Sequence, residues 1–493
     1  MTEPTQRRAA GWPGRPARLS ALALPCLLAA CSFIPSYQRP AAPLPAQWPG
    51  LSSAAPEEHG APAKLQQEHW SDYFSDPGLQ TLIRTALQNN RDLRVTALNI
   101  EQARAQFQIS RSKQWPALNA AGGGTHVPMS LGDAGVKQVS YYSAGLAVTS
   151  FELDFFGRVS SLKAQALAQY LGTEQALESA QLSLIANVAT GWLTLLSDEA
   201  QRGLARDSLR NLESTERLVA RSVELGTQPR QALQQAVAQT QSARVSLAQS
   251  ERQRQTDENA LQLLLGTAQP FPLQALLDTA ALNTVRFADL APGLPSALLQ
   301  RRPDIAQAEQ ALIAANANIG AARAAFFPTI SLTAGIGSMS PQLSGLFKSG
   351  AQTFTLSPQM SLPLFNAGQT QANLEAAKVS RDMAVAQYEK AIQSAFREVA
   401  DALAGRSSAV EQLEAYQLQN LATLDQLKLS SLGLEAGVNS RLDWLSVERN
   451  WLESRQRLLQ AQLSRLQNQV TVYQALGGRW KPGEVTAPSS APQ

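Results

Sequence analysis

Residues 304–328 (DIAQAEQALIAANANIGAARAAFFP) and the segment that follows, 329–337 (TISLTAGIG), mark a change from helical to extended structure. The first stretch ends at Pro328, and proline disfavours helix in the residue before it. In the second stretch, threonine and serine at odd positions alternate with isoleucine, leucine and alanine at even positions. A period of two predicts a strand with one polar and one apolar face.

The same helix-to-strand change occurs earlier in the chain. Residues 92–116 (DLRVTALNIEQARAQFQISRSKQWP) also run from an acid to a proline, 212 positions earlier. Two later landmarks, Gly226 and Gly266, recur 211 positions on as Gly437 and Gly477. Because these landmarks recur at a nearly constant offset over a long stretch of sequence, they predict an internal tandem duplication. Each repeat is predicted to contain a helix, two strands and then a very long helix.

The duplication predicts how the chain is divided. Residues 35–63 are rich in Pro and Ala without periodicity, which is typical of an extended tether. The predicted segments are a lipoprotein signal (1–30), a lipidated tether (31–69), repeat 1 (70–266), a linker or equatorial segment (267–295), repeat 2 (296–480) and a flexible C-terminal tail (481–493).

Four segments carry the strand pattern, at about 117–127 and 139–156 in repeat 1 and 329–337 and 353–365 in repeat 2. Alternation with a weak apolar face is typical of transmembrane barrel strands, and a half-buried soluble sheet shares it. Single-chain bacterial barrels start at about eight strands. Because an open sheet edge in lipid leaves backbone groups unpaired, several protomers must share one barrel if these strands enter a membrane.

The last helix has the pattern of a coiled coil. It could run from Gly437 to Gly477, about 60 Å at 1.5 Å per residue. Large apolar residues recur in it every seven positions, which predicts a seam that packs against neighbouring helices: Leu445, Leu452, Leu459, Leu466 and Tyr473.

The N-terminal residues have the features of a secretory signal peptide. A cluster of arginines precedes about ten apolar residues, 21–30, which are too few to span a bilayer and fit a signal peptide. Residues 28–31 (LAAC) resemble the lipobox of bacterial lipoproteins, which makes Cys31 the predicted acylated residue of the mature chain. A plain secretory cleavage beside an incidental cysteine is the alternative.

The charge and the cysteine content argue against a nucleic-acid-binding protein and against a fold held by disulfides. The formal charge of +3 falls to zero once residues 1–30 are removed, because 38 basic and 38 acidic residues remain. No basic surface for nucleic acid is predicted. Cys26 leaves with the signal, so Cys31 has no partner for an intramolecular disulfide. Beyond the signal, we expect no helix apolar enough to span a membrane.

Enzymatic chemistry has little support in the sequence. The three histidines, His59, His69 and His126, are scattered, and no Cys or His pair has metal-ligand spacing. The triple glycine at 122–124 falls in a predicted strand, which is the wrong context for a phosphate loop. We therefore expect no catalysis, no metal and no cofactor.

Several stretches together resemble the outer-membrane factor family of TolC and OprM, in its NodT-like lipoprotein branch. They are 31–48 (CSFIPSYQRPAAPLPAQW), 76–94 (DPGLQTLIRTALQNNRDLR), 151–158 (FELDFFGR), 301–332 (RRPDIAQAEQALIAANANIGAARAAFFPTISL), 362–377 (LPLFNAGQTQANLEAA), 388–404 (YEKAIQSAFREVADALA) and 473–480 (YQALGGRW).

The resemblance implies an α+β membrane protein with a trimeric TolC-like fold. Each protomer would give four strands to a shared twelve-stranded β-barrel, which continues into a periplasmic α-helical barrel. The implied function is a passive duct in the outer membrane of a Gram-negative bacterium. It would be held by N-terminal acyl chains and fed by an inner-membrane pump through a periplasmic adaptor. A lipid-anchored periplasmic scaffold or adaptor without a pore is the alternative function, and the sequence does not identify the cargo.

The resemblance also implies a gate where the final helix begins, at 437–449 (GVNSRLDWLSVER). Two acidic positions that constrict the family's tunnel fall on Asp443 and Ser446, so the second carboxylate is missing here. An apolar constriction falls on Leu442 and a restraining arginine on Arg449. In the alternative reading, Ser440 and Asp443 form an N-terminal capping box.

Overall fold

The computed structural model describes residues 33–41, 43, 65–66, 70–130, 136–288, 302–478 and 481–482. Its helices are α1 (Trp70–Tyr73), α2 (Pro77–Asn89), α3 (Arg91–Ser112), α4 (Arg158–Glu224), α5 (Arg230–Leu265), α6 (Leu273–Leu277), α7 (Pro303–Ala324), α8 (Gln369–Glu435) and α9 (Arg441–Ala475). Its strands are β1 (Leu65–Gln66), β2 (Leu118–Ser130), β3 (Val136–Leu153), β4 (Thr329–Ser340), β5 (Gln352–Ser361) and β6 (Lys481–Pro482).

The two halves of the chain have the same order of elements. In each, a 22-residue helix is followed by two strands, a 67-residue helix and a helix of 36 or 35 residues. The very long helix of each half, α4 or α8, is followed by a turn and a second helix, and in the second half that helix, α9, lies within the predicted span from Gly437 to Gly477. Gly226 and Gly437 explain the break, because their φ angles of 74° and 71° lie in the left-handed region that favours glycine.

The strand ends differ from the predicted ones for local reasons. β5 ends at Ser361, four residues early, where the chain approaches Pro363, which has no N–H to donate to a ladder. β3 ends at Leu153 because the next residue, Asp154, turns to the start of α4. Its two carboxylate oxygens accept the backbone N–H groups of Val159 (2.9 Å) and Ser160 (2.8 Å).

The described residues form two compact units, and the first contains the sheet. The strands run antiparallel in the order β2-β3-β4-β5, so each hairpin contributes one edge strand and one central strand. The start of the described chain packs in the same unit. Phe33 stacks on Phe327 at 4.7 Å between ring centroids, and Asn316 donates to the carbonyl of Pro35 at 2.8 Å.

The second unit joins the two ends of each repeat. In the first repeat, Asn90 donates to the carbonyl of Leu264 at 2.9 Å. In the second, Arg302 donates to the carbonyl of Ala475 at 2.9 Å. The two donors are 212 positions apart and the two acceptors 211, which matches the offsets of the sequence repeat. The RRPD and ALGG stretches of the second repeat are thus in direct contact.

Arg302 is buried and does more than hold this carbonyl. Its guanidinium also pairs with Asp304 at 2.8 Å and with Glu398 of α8 at 2.7 Å. Nearby, four aromatic rings pack together, with centroid distances of 4.7–5.8 Å: Tyr73, Phe74, Phe287 and Tyr473. This centre ties the first helix of the chain to the end of the last.

The heptad seam of α9 is buried along its whole length. Leu445, Leu452, Leu459, Leu466 and Tyr473 are each between 2% and 8% exposed.

The first described residues after repeat 2 are paired with the N-terminal part of the chain. Lys481–Pro482 and Leu65–Gln66 form two short antiparallel strands. The rest of the predicted tail lies outside the described residues.

One described helix, α4, contains a stretch long and apolar enough to cross a membrane by composition, contrary to our expectation. Half of that stretch is buried. Its largest apolar side chains, among them Trp192, Leu193 and Leu195, have no exposed surface within the second unit. Packing in a helical core explains its composition.

Candidate functional site: an open sheet and a hairpin tip

The sheet has one face that is unusually apolar for an exposed surface. Cross-strand neighbours Leu146, Ile336 and Phe354 stand in one row, and they are 43%, 59% and 70% exposed. The opposite face of the same strands carries threonine, serine and glycine. An apolar band on one face and polar residues on the other is the pattern of a barrel wall between lipid and a watery lumen.

Two glycines allow the central strands to lie close together. Gly145 of β3 and Gly337 of β4 are directly opposite each other. A Cβ added at Gly145 would lie 2.5 Å from the carbonyl oxygen of Ile336, and one at Gly337 would lie 2.6 Å from that of Ala144. No real Cβ tolerates these distances, so the sheet requires glycine at both positions.

Each outer strand of this sheet has one edge along which no other described strand pairs with its backbone N–H and C=O groups. β2 pairs only with β3, and β5 only with β4. Within lipid, each unpaired N–H or C=O costs several kcal/mol. The edges therefore need partner strands from outside this chain if the sheet lies in a membrane.

A separate candidate site, in the second unit, is the turn between α8 and α9 at residues 436–440. The N–H groups of Val438 and Asn439 donate to the carbonyl of Gly433 at 2.8 and 3.1 Å, which closes the end of α8. The side chain of Asn439 donates to the carbonyl of Ser430 and fills the space beside Gly433. The turn is tight, and α8 and α9 leave it as an antiparallel hairpin.

The capping box at the start of α9 is present. Asp443 accepts hydrogen bonds from the backbone N–H of Ser440 at 3.1 Å and from its hydroxyl at 2.6 Å. The Ser440 hydroxyl accepts in turn from the N–H of Asp443 at 3.2 Å. These donors, the hydroxyl first and the backbone N–H second, lower the pKa of Asp443, so the carboxylate is charged while it remains exposed.

The other predicted site residues are spread around the first turns of α9. Ser446 is exposed, and Leu442 is half-buried. Arg449 lines a groove of about 540 Å³ between α4, α5 and α9, beside Glu453 and small polar residues of the other two helices. Cys31 lies outside the described residues.

Sequence reasoning missed one residue near this tip, Asn211 of α4. Its buried side-chain amide donates to the backbone carbonyl of Leu445 at 3.0 Å and to the carboxylate of Glu448 at 2.6 Å. It therefore fixes the start of α9 to the long helix of the other repeat. Its spacing in the sequence could have indicated it, because Asn211 stands seven positions from both Leu204 and Leu218 and so lies on the same face of the helix.

The geometry of sheet and hairpins agrees with known proteins. The family model for outer membrane efflux proteins matches residues 82–267 and again 294–478. This chain belongs to the outer membrane efflux protein family. The two matches correspond to the two repeats of elements described above.

Relatives in the family support the same assignment over nearly the whole chain. The probable efflux pump outer membrane protein TtgC of Pseudomonas putida is 44% identical over 92% of this chain and 94% of its own length. The cation efflux system protein CusC of Escherichia coli is 39% identical over 94% of this chain and 99% of its own. The open state of the Neisseria gonorrhoeae MtrE outer membrane channel superposes with a TM-score of 0.80 at 36% identity, over 92% of this chain and all of that one.

This outer membrane efflux protein therefore has the predicted TolC-like fold, and its function is that of an outer-membrane channel for efflux. The pore-free scaffold that the sequence left open is not supported, because the relatives with solved structures are channels.

Proposed function

We propose that three copies of this efflux protein form one passive duct through the outer membrane. Each copy contributes its four strands to a twelve-stranded barrel, and the long helices surround a periplasmic tunnel. The observation that carries the proposal is the four-stranded sheet with two unpaired edges and an exposed apolar face. Three such sheets, joined β2 to β5, satisfy every edge and exceed the minimum of about eight strands for a barrel.

A disulfide across the proposed protomer boundary tests this arrangement. The polar face of β2 includes Asn119 and Ala121, and that of β5 includes Thr355 and Ser357. Combining one cysteine from each pair gives four double variants that sample the unknown register. We expect at least one to give covalent dimers and trimers on oxidation, since bridged Cα atoms must lie within about 7 Å. Single-cysteine variants are the controls, and four double variants that stay monomeric in the outer membrane would contradict the shared barrel.

The duct is proposed to work with a periplasmic adaptor and an inner-membrane pump. The duct is proposed to be passive, without ATP binding or covalent catalysis of its own, so that the energy for transport comes from a partner. TtgC is named for an efflux pump and CusC for a cation efflux system, and the choice of cargo is proposed to rest with the pump.

We propose that acyl chains on Cys31 add a membrane anchor. The described chain begins two residues later, where the stack of Phe33 on Phe327 fixes it next to the start of β4. This contact would place the acyl chains close to the end of the sheet. Cys31→Ser should abolish incorporation of labelled palmitate and slow signal removal, whereas mature wild-type protein without the label would contradict the anchor.

We propose that Leu442, Asp443, Ser446 and Arg449 lie at the periplasmic opening of the duct. Three Asp443 carboxylates around a threefold axis would form a negative ring that favours cations. The capping box does not compete with this role, because the carboxylate that caps α9 is still exposed. The division of the chain into signal, tether, two repeats, linker and tail is part of the same proposal, and the paired contacts of Asn90 and Arg302 support it.

A further inference from the structure

A ladder of charged pairs joins α4 to α5 in the second unit. Its members are Glu213–Arg244 at 3.1 Å, Arg206–Glu251 at 3.1 Å and Glu199–Arg254 at 3.8 Å. Residue numbers fall on α4 as they rise on α5, so the two helices form an antiparallel hairpin. Each of these pairs combines an acid with an arginine.

One further pair in the ladder combines two acids. Asp198 of α4 lies close enough to Asp257 of α5 for the two carboxyl groups to interact, and Asp257 accepts from the amide of Gln253 at 2.9 Å. Two ionised carboxylates contain only acceptors, so a hydrogen bond between them would require a proton on one of them. Asp198 is only 8% exposed, and its Oδ2 is buried without a hydrogen-bond partner among the described residues.

The surrounding charges do not balance this pair. Four acids and two bases meet here: Asp198, Glu199, Asp257 and Glu258 with Arg202 and Arg254. Arg254 lies 3.3 Å from Glu258 and 3.8 Å from Glu199, both longer than the 2.7–2.9 Å of a good charge-assisted hydrogen bond. With all six groups ionised, a partly buried cluster would carry two excess negative charges, which is unfavourable.

We propose that Asp198 and Asp257 form a proton-binding site, in which the two carboxyl groups share one proton and thereby hold α4 against α5. α9 brings Arg455 to a groove that Ala200, Gly203 and Asp207 of α4 also line. α9 approaches one turn earlier, where the amide of Gln467 donates to Thr194 at 3.1 Å. The nearest charges on the two helices themselves are Glu199, Arg202 and Arg254. This site is independent of the proposed three-copy barrel.

Burial, the hydrogen bond to Asp257 and the negative charge of Asp257 together raise the pKa of Asp198 from 3.8 to about 7, against the opposing charge of Arg254. Between these two values the folded protein binds one proton more than the unfolded chain. Stability therefore falls as the pH rises from about 4 to about 7 and is constant above that range as far as this group is concerned. A change of pH near neutrality would loosen the α4–α5 hairpin.

Infrared difference spectroscopy of the full-length protein in detergent, titrated from about pH 5 to about pH 9, tests the site. We expect a protonated-carboxyl band that disappears with a midpoint near pH 7. Asp198→Asn should remove this band. Asp257→Asn should move its midpoint to lower pH, because an amide donor replaces a negative neighbour. Asp207→Asn, at a more exposed position on α4 paired with Arg210, is the matched control and should leave the band unchanged.

A second readout uses thermal unfolding over the same pH range. Wild type should lose stability as the pH rises toward 7, and Asp198→Asn should lack that part of the loss. If Asp198→Asn does not fold, the shift in Asp257→Asn still decides the question. A wild-type spectrum without a band near pH 7, a band that persists in Asp198→Asn, or stabilisation by sodium or potassium ions in place of the proton would overturn the proposal.

Discussion

Asp443 combines a structural and an electrostatic role in one side chain. Its carboxylate accepts two hydrogen bonds from Ser440 and so begins α9, while its surface stays open to solvent. Because these donors lower its pKa, the stability it contributes is present above pH 3.8 and is lost as the pH falls through the lowered value. At neutral pH the cap and the charge are therefore both present.

The two roles of Asp443 can be separated by two substitutions. Asp443→Asn removes the charge, and we expect it to lower the cation preference of reconstituted pores, measured as the reversal potential across a salt gradient. Ser440→Ala removes the capping hydroxyl, which should cost about 1 kcal/mol of stability and leave the preference unchanged. Unaltered selectivity in Asp443→Asn pores would mean that the carboxylate is only a cap.

Residues near the tip show what sequence can and cannot reveal. The Ser440–Asp443 box was predictable, because both partners lie within four positions and form a known local motif. The role of Asn211 was not, because its partner Leu445 is 234 positions away and the contact exists only after the two repeats pack. The pair of Asp198 and Asp257 is hidden for a related reason, because these residues of one repeat are 59 positions apart and meet only when α4 and α5 pack.

At the level of elements, the sheet depends on the close approach of β3 and β4. Gly145→Ala would force a Cβ to 2.5 Å from the carbonyl oxygen of Ile336, so the strands would have to separate. We expect this variant to lose most of its heat-resistant, assembled form on gels of outer membranes. Gly123→Ala in β2 is the matched control, since its Cβ would have nothing within 4 Å. Equal assembly of the two variants would show that the close approach is not required.

The four strands were predictable to within a few residues, because period-two alternation is a local property of sequence. The helices after them were harder to place. Gly226 and Gly437 served as markers of the repeat, and only Gly437 was also predicted to precede a new helix. The left-handed conformation of both glycines shows that at each turn one helix ends and an antiparallel partner begins.

For the whole molecule, the central claim is that one chain is an incomplete pore. The fold class and the family could be predicted because stretches of the second repeat such as RRPD and ALGG are specific to the family, and the structure brings these two into contact. The number of copies could not be read from composition or periodicity. If the sheet lies in a membrane, its four strands and two unpaired edges require more than one copy, and the number three is what the resemblance to TolC-like channels implies.

The most direct test of this claim is the mass of the detergent-extracted protein, measured together with its conductance in planar bilayers. Three protomers per particle and discrete conductance steps are predicted, because one chain alone has too few strands to enclose a lumen. A monomeric particle that forms no pores would contradict the account.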